Sequence, residues 1–320
     1  MPDTVPQVDV SGVGLNATDT IIRLPHFPSL DSKVEIVSSN VLPGGQVASA
    51  MVACQSWGFS TRYIGKVGSD PAADLQRSEF ARAGVEAHLL TVPDCASQLA
   101  YILVDELSGE RTILWQRDPR LTVHPEELRR DWITRSRILL LDGHDTAAAT
   151  LAARWAREAS LPVVADVDNL YTGVEALLEN VDYLVASRDF PTRLISNPDL
   201  KESLRQIHCR FGCRVVSSTL GIRGVLAFDG SHFHYAPAFR VNAVDTTGAG
   251  DIFHGAFVYA VLQGWGLPRM LDFSCAAAAL NCTVLGARGG IRTLAEIEAL
   301  VRSGPRHPSA FNPATLNAAH

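Results

Sequence analysis

The sequence has no apolar run near the roughly 18 residues a membrane-crossing helix needs, so no membrane-embedded role is expected. Its opening, MPDTVPQVDV, has neither a basic stretch nor an apolar core, and no secretory leader is read there. A cytoplasmic location is the expectation. Basic charge is also short: 28 Lys and Arg stand against 34 Asp and Glu, a formal net charge of −6. Nucleic acid calls for a basic face, so it is not expected as a partner. Paired cysteines are missing too. Cys54, Cys95, Cys209, Cys213, Cys275 and Cys282 form no CxxC motif, and buried free thiols are a better reading than a structural zinc site. What the chain does have is bulk. With 320 residues, 47% of them hydrophobic, it can bury a sizeable core in one large or two modest domains.

Short apolar runs alternate with helix-like stretches. VDVSGVG (8–14), TRYIGKVG (61–68), RILLLD (137–142), PVVADVD (162–168), DYLVAS (182–187), CRVVSST (213–219) and GVLAF (224–228) read as strands. Near-continuous apolar runs of this length suit strands buried on both faces of a parallel sheet. Segments 44–58, 72–84, 146–160 and 199–212 read as helices between them. The alternation predicts an α/β fold with a doubly wound, mainly parallel sheet. Two segments break the rhythm. Residues 19–45 have strand-like pieces and prolines without a helical period, and 97–117 read as a hairpin turned at Ser108–Gly109. Together they predict a small β-sheet lid on a main domain built from 1–18, 46–96 and 118–302. The Pro-, Asn- and Ala-rich tail, 303–320, is read as poorly ordered.

GVGLNA (12–17) matches the dinucleotide pattern GxGxxA, which works only where a helix starts and offers its amides to the pyrophosphate. The residues that follow, TDTIIRLP, are β-branched and end in proline. A glycine turn into a lid strand is expected instead, with Asn16 and Asp19 at the sheet edge.

VDTTGAGDIFHGAF (244–257) is the most informative stretch. Glycines and a small residue at Gly248, Ala249 and Gly250 precede an apolar helix that ends at Gly264. Amides at such a helix start, aided by its dipole, form an anion hole. Asp251 lies just inside it and would repel an anion. It makes chemical sense as a general base that takes a hydroxyl proton while a phosphoryl group rests on the amides. The competing reading is a plain helix cap.

This stretch resembles the C-terminal signature of the ribokinase (PfkB) family of carbohydrate kinases, which includes ketohexokinase and adenosine kinase. The resemblance implies that Asp251 is the catalytic base and Gly248–Ala249–Gly250 the anion hole, with ATP and Mg²⁺ as cofactors. It extends over about residues 8 to 300. STLGIRGVLAF (218–228) is similar to the family's nucleotide segment, which implies that Thr219, Gly221 and Gly224 line the ATP phosphates and ribose, near Ser187. The stretch from Pro268 to Gly286 reads as the helix flanking adenine, with Asn281 and Cys282 as contacts. Asp245, Thr247 and the backbone at Ala287 match the region that holds potassium in relatives, although Asp245 could equally brace the loop.

On the acceptor side, Asp19 matches an acidic residue that grips substrate hydroxyls. Gly44, Gly45 and Gln46 follow the lid strand, but Gln46 and Ser49 stand where the family pattern GGN-x-x-N has asparagines. Asp142 and His144 end a strand and are candidate lining residues, while Asp166 and Asp168 are candidates to hold magnesium through water. The family's Asn-x-x-Glu is replaced by Ser187-Arg188-Asp189-Phe190. His254 is read as helix packing, and Arg111, Arg117 and Arg120 raise the option of an acidic or phosphorylated sugar. The expected activity is ATP-dependent phosphorylation of a hydroxyl on a sugar-like small molecule. A nucleoside kinase, with Trp115 or Tyr101 as stacking residues, and a sugar-binding protein without catalysis are the alternatives. Exposed lid edges imply a homodimer through the lid.

Overall fold

The computed structural model describes residues 7–187, 189–312 and 315–317. Among the described residues thirteen strands form two sheets. In chain order they are β1 (Val10–Val13), β2 (Ala17–Leu24), β3 (Ser38–Gly44), β4 (Thr61–Val67), β5 (Glu86–Thr91), β6 (Leu99–Asp105), β7 (Arg111–Gln116), β8 (Ile138–Asp142), β9 (Val163–Val167), β10 (Tyr183–Ala186), β11 (Val215–Thr219), β12 (Val225–Phe228) and β13 (Phe233–Ala236). The large sheet runs β13-β12-β11-β10-β9-β8-β1-β4-β5. It is parallel from β5 to β11, and β12 and β13 are antiparallel. One buried cluster packs on each face of this sheet, with β8, β9 and β10 contributing side chains to both. Burial on both faces is why these strands read as unbroken apolar runs.

Chain order departs outward from β1 through β4 and β5, then restarts on its other side at β8. The switch point therefore lies between β1 and β8. Open α/β sheets bind ligands outside the carboxyl ends of strands at such a point. Asn16, Asp142, Asp168, Ser187 and Thr219 all sit at or just past those ends.

The second sheet, β3-β2-β6-β7, is the expected lid, though it is mixed: β2 pairs β6 in parallel. It begins at Ala17, so Ala17 and Thr18 belong to it rather than to the main body. Ile21, Ala100, Ile102 and Val104 form its buried inner face, packed against Leu42 and Leu285. At the hairpin turn, Gly109 donates to Asp105 O and adopts φ +69.

Helices begin and end where local chemistry allows. Asp70 accepts from the Ala73 amide ahead of Pro71–Ala83, and Gly84 closes that helix in the left-handed region. Helix Ala249–Leu262 is buried nearly all round and ends just before Gly264, as expected. Gly255 brings it against helix Gln46–Ser56, where a Cβ would lie 3.1 Å from Ala50 O.

The described residues of the tail make contacts with the main body. Arg306 pairs with Phe239 in a bridge, forms an ion pair with Asp272 at 2.8 Å, and lies over the Phe239 ring. Asn317 exchanges two hydrogen bonds with the Phe233 backbone. Composition read as loose because these partners lie far away in sequence.

Candidate active site

Gly248 has φ +74 and caps helix Ala249–Leu262 with no side-chain partner. A Cβ there would run into Ala287 O, so only glycine fits. A Cβ on Gly250 would meet nothing within 4 Å, which leaves open space beside that backbone. The amides of Gly250 and Asp251 meet no acceptor among the described residues. Two free N–H groups at the positive end of a buried helix form an anion site.

Asp251 stands beside it. Burial raises its pKa to about 7, with Arg111 and Arg288 pulling it down and Asp168 and Asp142 pushing it up. Asp19 is 5% exposed and is likewise raised to about 7, by burial first and then by the Asp251 charge. Asp166 is raised well above the usual carboxylate range by burial and by Asp168, Asp251 and Asp142. A group that titrates near neutrality in a crevice is suited to accepting a proton there.

The turn between lid and helix is shaped by close approach. A Cβ on Gly44 would strike the Asp19 carboxylate, and Gly45, at φ +96, lies against the Asn16 backbone. Gln46 Nε2 donates to Asp168 Oδ2 at 3.3 Å, while its Oε1 is buried without a partner. Tyr171 OH donates to Asp168 Oδ1 and contacts His144 Nε2. Ser49 is fully buried and accepts from Arg288 Nε at 3.2 Å. Arg288 Nη2 also donates to Gly44 O at 2.8 Å, and its Nη1 has no partner. Burial lowers the Arg288 pKa to about 10, so it remains charged at neutrality. Sequence reasoning missed Arg288 entirely.

Several expected contacts have other work. Asp142 is 1% exposed, and its two oxygens accept from the Leu15 and His144 amides at 2.7 and 3.1 Å. It ties the β1 exit to the β8 end at the switch point, which corrects its reading as a substrate ligand. Arg117 forms a two-pronged pair with Asp145, and Arg120 pairs with Asp118. Of the three lid-region arginines only Arg111 reaches the glycine run, donating to Thr246 Oγ1 at 2.6 Å. His254 is buried, its ring nitrogens 2.6 and 3.0 Å from Gly250 O and Val185 O, and its Nδ1 lies 3.3 Å from the buried Asp166 carboxylate.

On the nucleotide side, Thr219 ends β11, Gly221 and Gly224 take φ +60 and +85, and the Leu220 amide donates to Gly224 O to close the loop. Ser187 follows β10, its amide donating to Val167 O; Arg188 lies outside the described residues. Helix Leu267–Asn281 stops short of Gly286. Cys282 is buried and its carbonyl accepts from the Val244 and Asp245 amides. Asn281 is fully buried and bonded to Thr247 O, Ala287 O and the Gly290 amide, which corrects its reading as an adenine contact.

The potassium expectation does not fit either. Asp245 is buried, and its carboxylate accepts from the Thr247 and Gly286 amides at 2.8 and 2.9 Å. The Thr247 and Ala287 carbonyls are already held by Asn281. Thr247 Oγ1 alone is buried and unpartnered, and one hydroxyl is no coordination shell.

The sequence matches the model of the pfkB family carbohydrate kinase over residues 13–294. It is 25% identical over 287 residues to a ribokinase of Haemophilus influenzae, covering 87% of this chain and 93% of that protein. It is 28% identical over 290 residues to an ATP-dependent ribose-1-phosphate kinase of Halopiger xanaduensis, covering 84% and 90%. The crystal structure of a Thermotoga maritima ribokinase superposes with a TM-score of 0.77 at 25% identity, covering 92% of this chain and all of that one. The chain belongs to the pfkB family of carbohydrate kinases. It is a phosphotransferase with an alcohol group as acceptor. Among the described residues no group of three or more His, Cys, Asp or Glu side chains could hold a metal ion. No helix among the described residues is long and apolar enough to cross a membrane.

Proposed function

We propose that the chain phosphorylates a hydroxyl of an uncharged sugar, with Asp251 as general base. The observation that carries this reading is the pairing of a carboxyl poised near pH 7 with two unpartnered amides, of Gly250 and Asp251 itself, at one helix start. ATP would supply the phosphoryl group, and Mg²⁺ would offset the charge of its phosphates. The Gly250 and Asp251 amides bear the negative charge that develops on that group, and the Asp251 carboxylate takes the proton of the attacking hydroxyl. Asp19 accepts hydrogen bonds from neighbouring hydroxyls. Gly44 and Gly45 let the acceptor approach the backbone, and Arg288 holds that turn in place through Gly44 O and Ser49. Thr219, Gly221 and Gly224 line the nucleotide. The lid, joined to the glycine run through Arg111–Thr246 and Thr246–Gly109, keeps water from the reacting group.

The acceptor is uncharged because five carboxyls (Asp19, Asp142, Asp166, Asp168 and Asp251) surround the site against two guanidiniums, Arg111 and Arg288. A second reading, a nucleoside acceptor, is favoured by Trp115. It pairs with Ala100, so it shares the lid face turned towards the main domain, and it is 62% exposed. We also propose a homodimer. Every residue of β7 is exposed, and Val41, Tyr101, Ile113, Leu114 and Trp115 leave the lid broadly apolar. A panel of ribose, fructose, ribose-1-phosphate and adenosine with ATP and Mg²⁺, scored by ADP release, tests the acceptor. Turnover with ribose or fructose supports the main reading, whereas turnover confined to adenosine or to the phosphorylated sugar replaces it.

A further inference from the structure

The carbonyls of the loop that carries the glycine run are held from behind by the Asn281 side chain. Asn281 ends helix Leu267–Asn281 and is fully buried. Its Oδ1 accepts from the Gly290 amide at 3.1 Å, and its Nδ2 donates to Thr247 O at 3.2 Å and Ala287 O at 3.1 Å. The orientation is internally fixed. A flipped amide would set an oxygen against two carbonyls and an NH₂ group against an N–H. Neither carbonyl has a backbone partner among the described residues. The two lie on either side of Gly248: Thr247 precedes it, and Ala287 O is the atom that leaves no room for a Cβ there. The amide therefore fixes the spacing of the two segments that set the Gly248–Gly250 backbone.

We infer that the Asn281 amide does for this loop what a bound monovalent cation would otherwise do, and that the protein neither binds nor needs one. Removing an alkali cation from water requires several oxygens to replace its hydration shell. Here two of the available carbonyls converge on an NH₂ group whose hydrogens bear positive partial charge, and both hydrogens are used. A cation placed between those oxygens would overlap the amide. The Asp245 carboxylate, the other natural anchor, is tied to the Thr247 and Gly286 amides.

The test is thermal unfolding of the full chain in potassium, sodium and choline chloride at equal ionic strength. It needs no substrate, so it stands whether or not the acceptor proposed above is right. The midpoints are expected to coincide. A rise of several degrees specific to potassium or sodium, which marks a ligand bound to the folded state alone, would overturn the inference. Asn281→Ala vacates the place between the carbonyls, and Asn281→Asp keeps the shape but puts an oxygen there. Both are expected to unfold earlier in choline and to recover part of the loss in potassium. If either folded variant responds alike to all three salts, the amide and a cation do not compete for one place and the inference falls; if neither folds, the parent comparison decides. Where turnover is measurable, kcat of the parent should agree within about twofold between potassium and choline, and a larger stimulation would count equally against it.

Discussion

Replacing Asp251 by Asn separates what this carboxyl does for the reaction from what it costs the fold. The amide keeps the shape and removes the base, and general bases contribute roughly 10²–10⁴-fold, so kcat should fall by that factor. Stability should move the other way. The folded-state pKa lies near 7 against an ordinary 3.8. Between those values the folded chain keeps a proton that the unfolded chain has lost, so the parent loses stability as pH rises from about 4 to about 7. About three pKa units correspond to roughly 4 kcal/mol, an upper bound because the crevice leaves Asp251 partly solvated. The Asn variant lacks this loss. Its advantage over the parent should be small near pH 4, grow through pH 7 and then stay level, reaching about 1–4 kcal/mol at pH 8. Asp19 adds to the effect, because removing the Asp251 charge lowers its pKa as well. Denaturant unfolding at pH 5 and pH 8, with kcat measured on the same preparations, reads both quantities. A variant no more stable relative to the parent at pH 8 than at pH 5, or one retaining kcat within tenfold, would refute the assignment.

Other outcomes follow from the same geometry. In the parent, kcat/KM should rise about tenfold per pH unit below pH 7 and level above it, since this ratio reports the free enzyme's base. Arg288→Met removes one of the two positive charges that lower the Asp251 pKa, so this limb should move to higher pH, and KM for the acceptor should rise as Gly44 and Ser49 lose their brace. Gly248→Ala forces a left-handed φ on a side chain with Ala287 O in its way; a loss of about 1–3 kcal/mol by denaturant titration, with most activity, is expected. Leu114→Glu places a charge on the outer lid face, where Leu114 pairs with the exposed Tyr101, and light scattering should show a dimeric parent and a monomeric variant.

How much could be read from sequence depended on where each residue's partners lie. β8 to β11 were legible because burial on both faces leaves nearly all their residues apolar. β5 and β13 were not: EAHLLT and FHYA are short, partly exposed and carry polar residues. The glycine run was legible because its helix start, its small residues and its acid are contiguous. Arg288 was not, because its burial depends on Ser49, 239 residues away in sequence, and on that residue being small. Asn281 was misread for a similar reason. On a helix near a nucleotide site an asparagine looks like a ligand, and only the folded loops on either side reveal that its hydrogen bonds are already made.

The central claim is that Asp251 and the neighbouring amides move a phosphoryl group from ATP to a sugar hydroxyl. Mass spectrometry of the sugar after incubation with the full chain, ATP and Mg²⁺ tests it most directly. The account predicts a phosphorylated ribose or fructose with the parent and at least a hundredfold less with Asp251→Asn. A parent that binds ATP but leaves every sugar and nucleoside unmodified, or an Asn variant that makes product at the parent's rate, would contradict it.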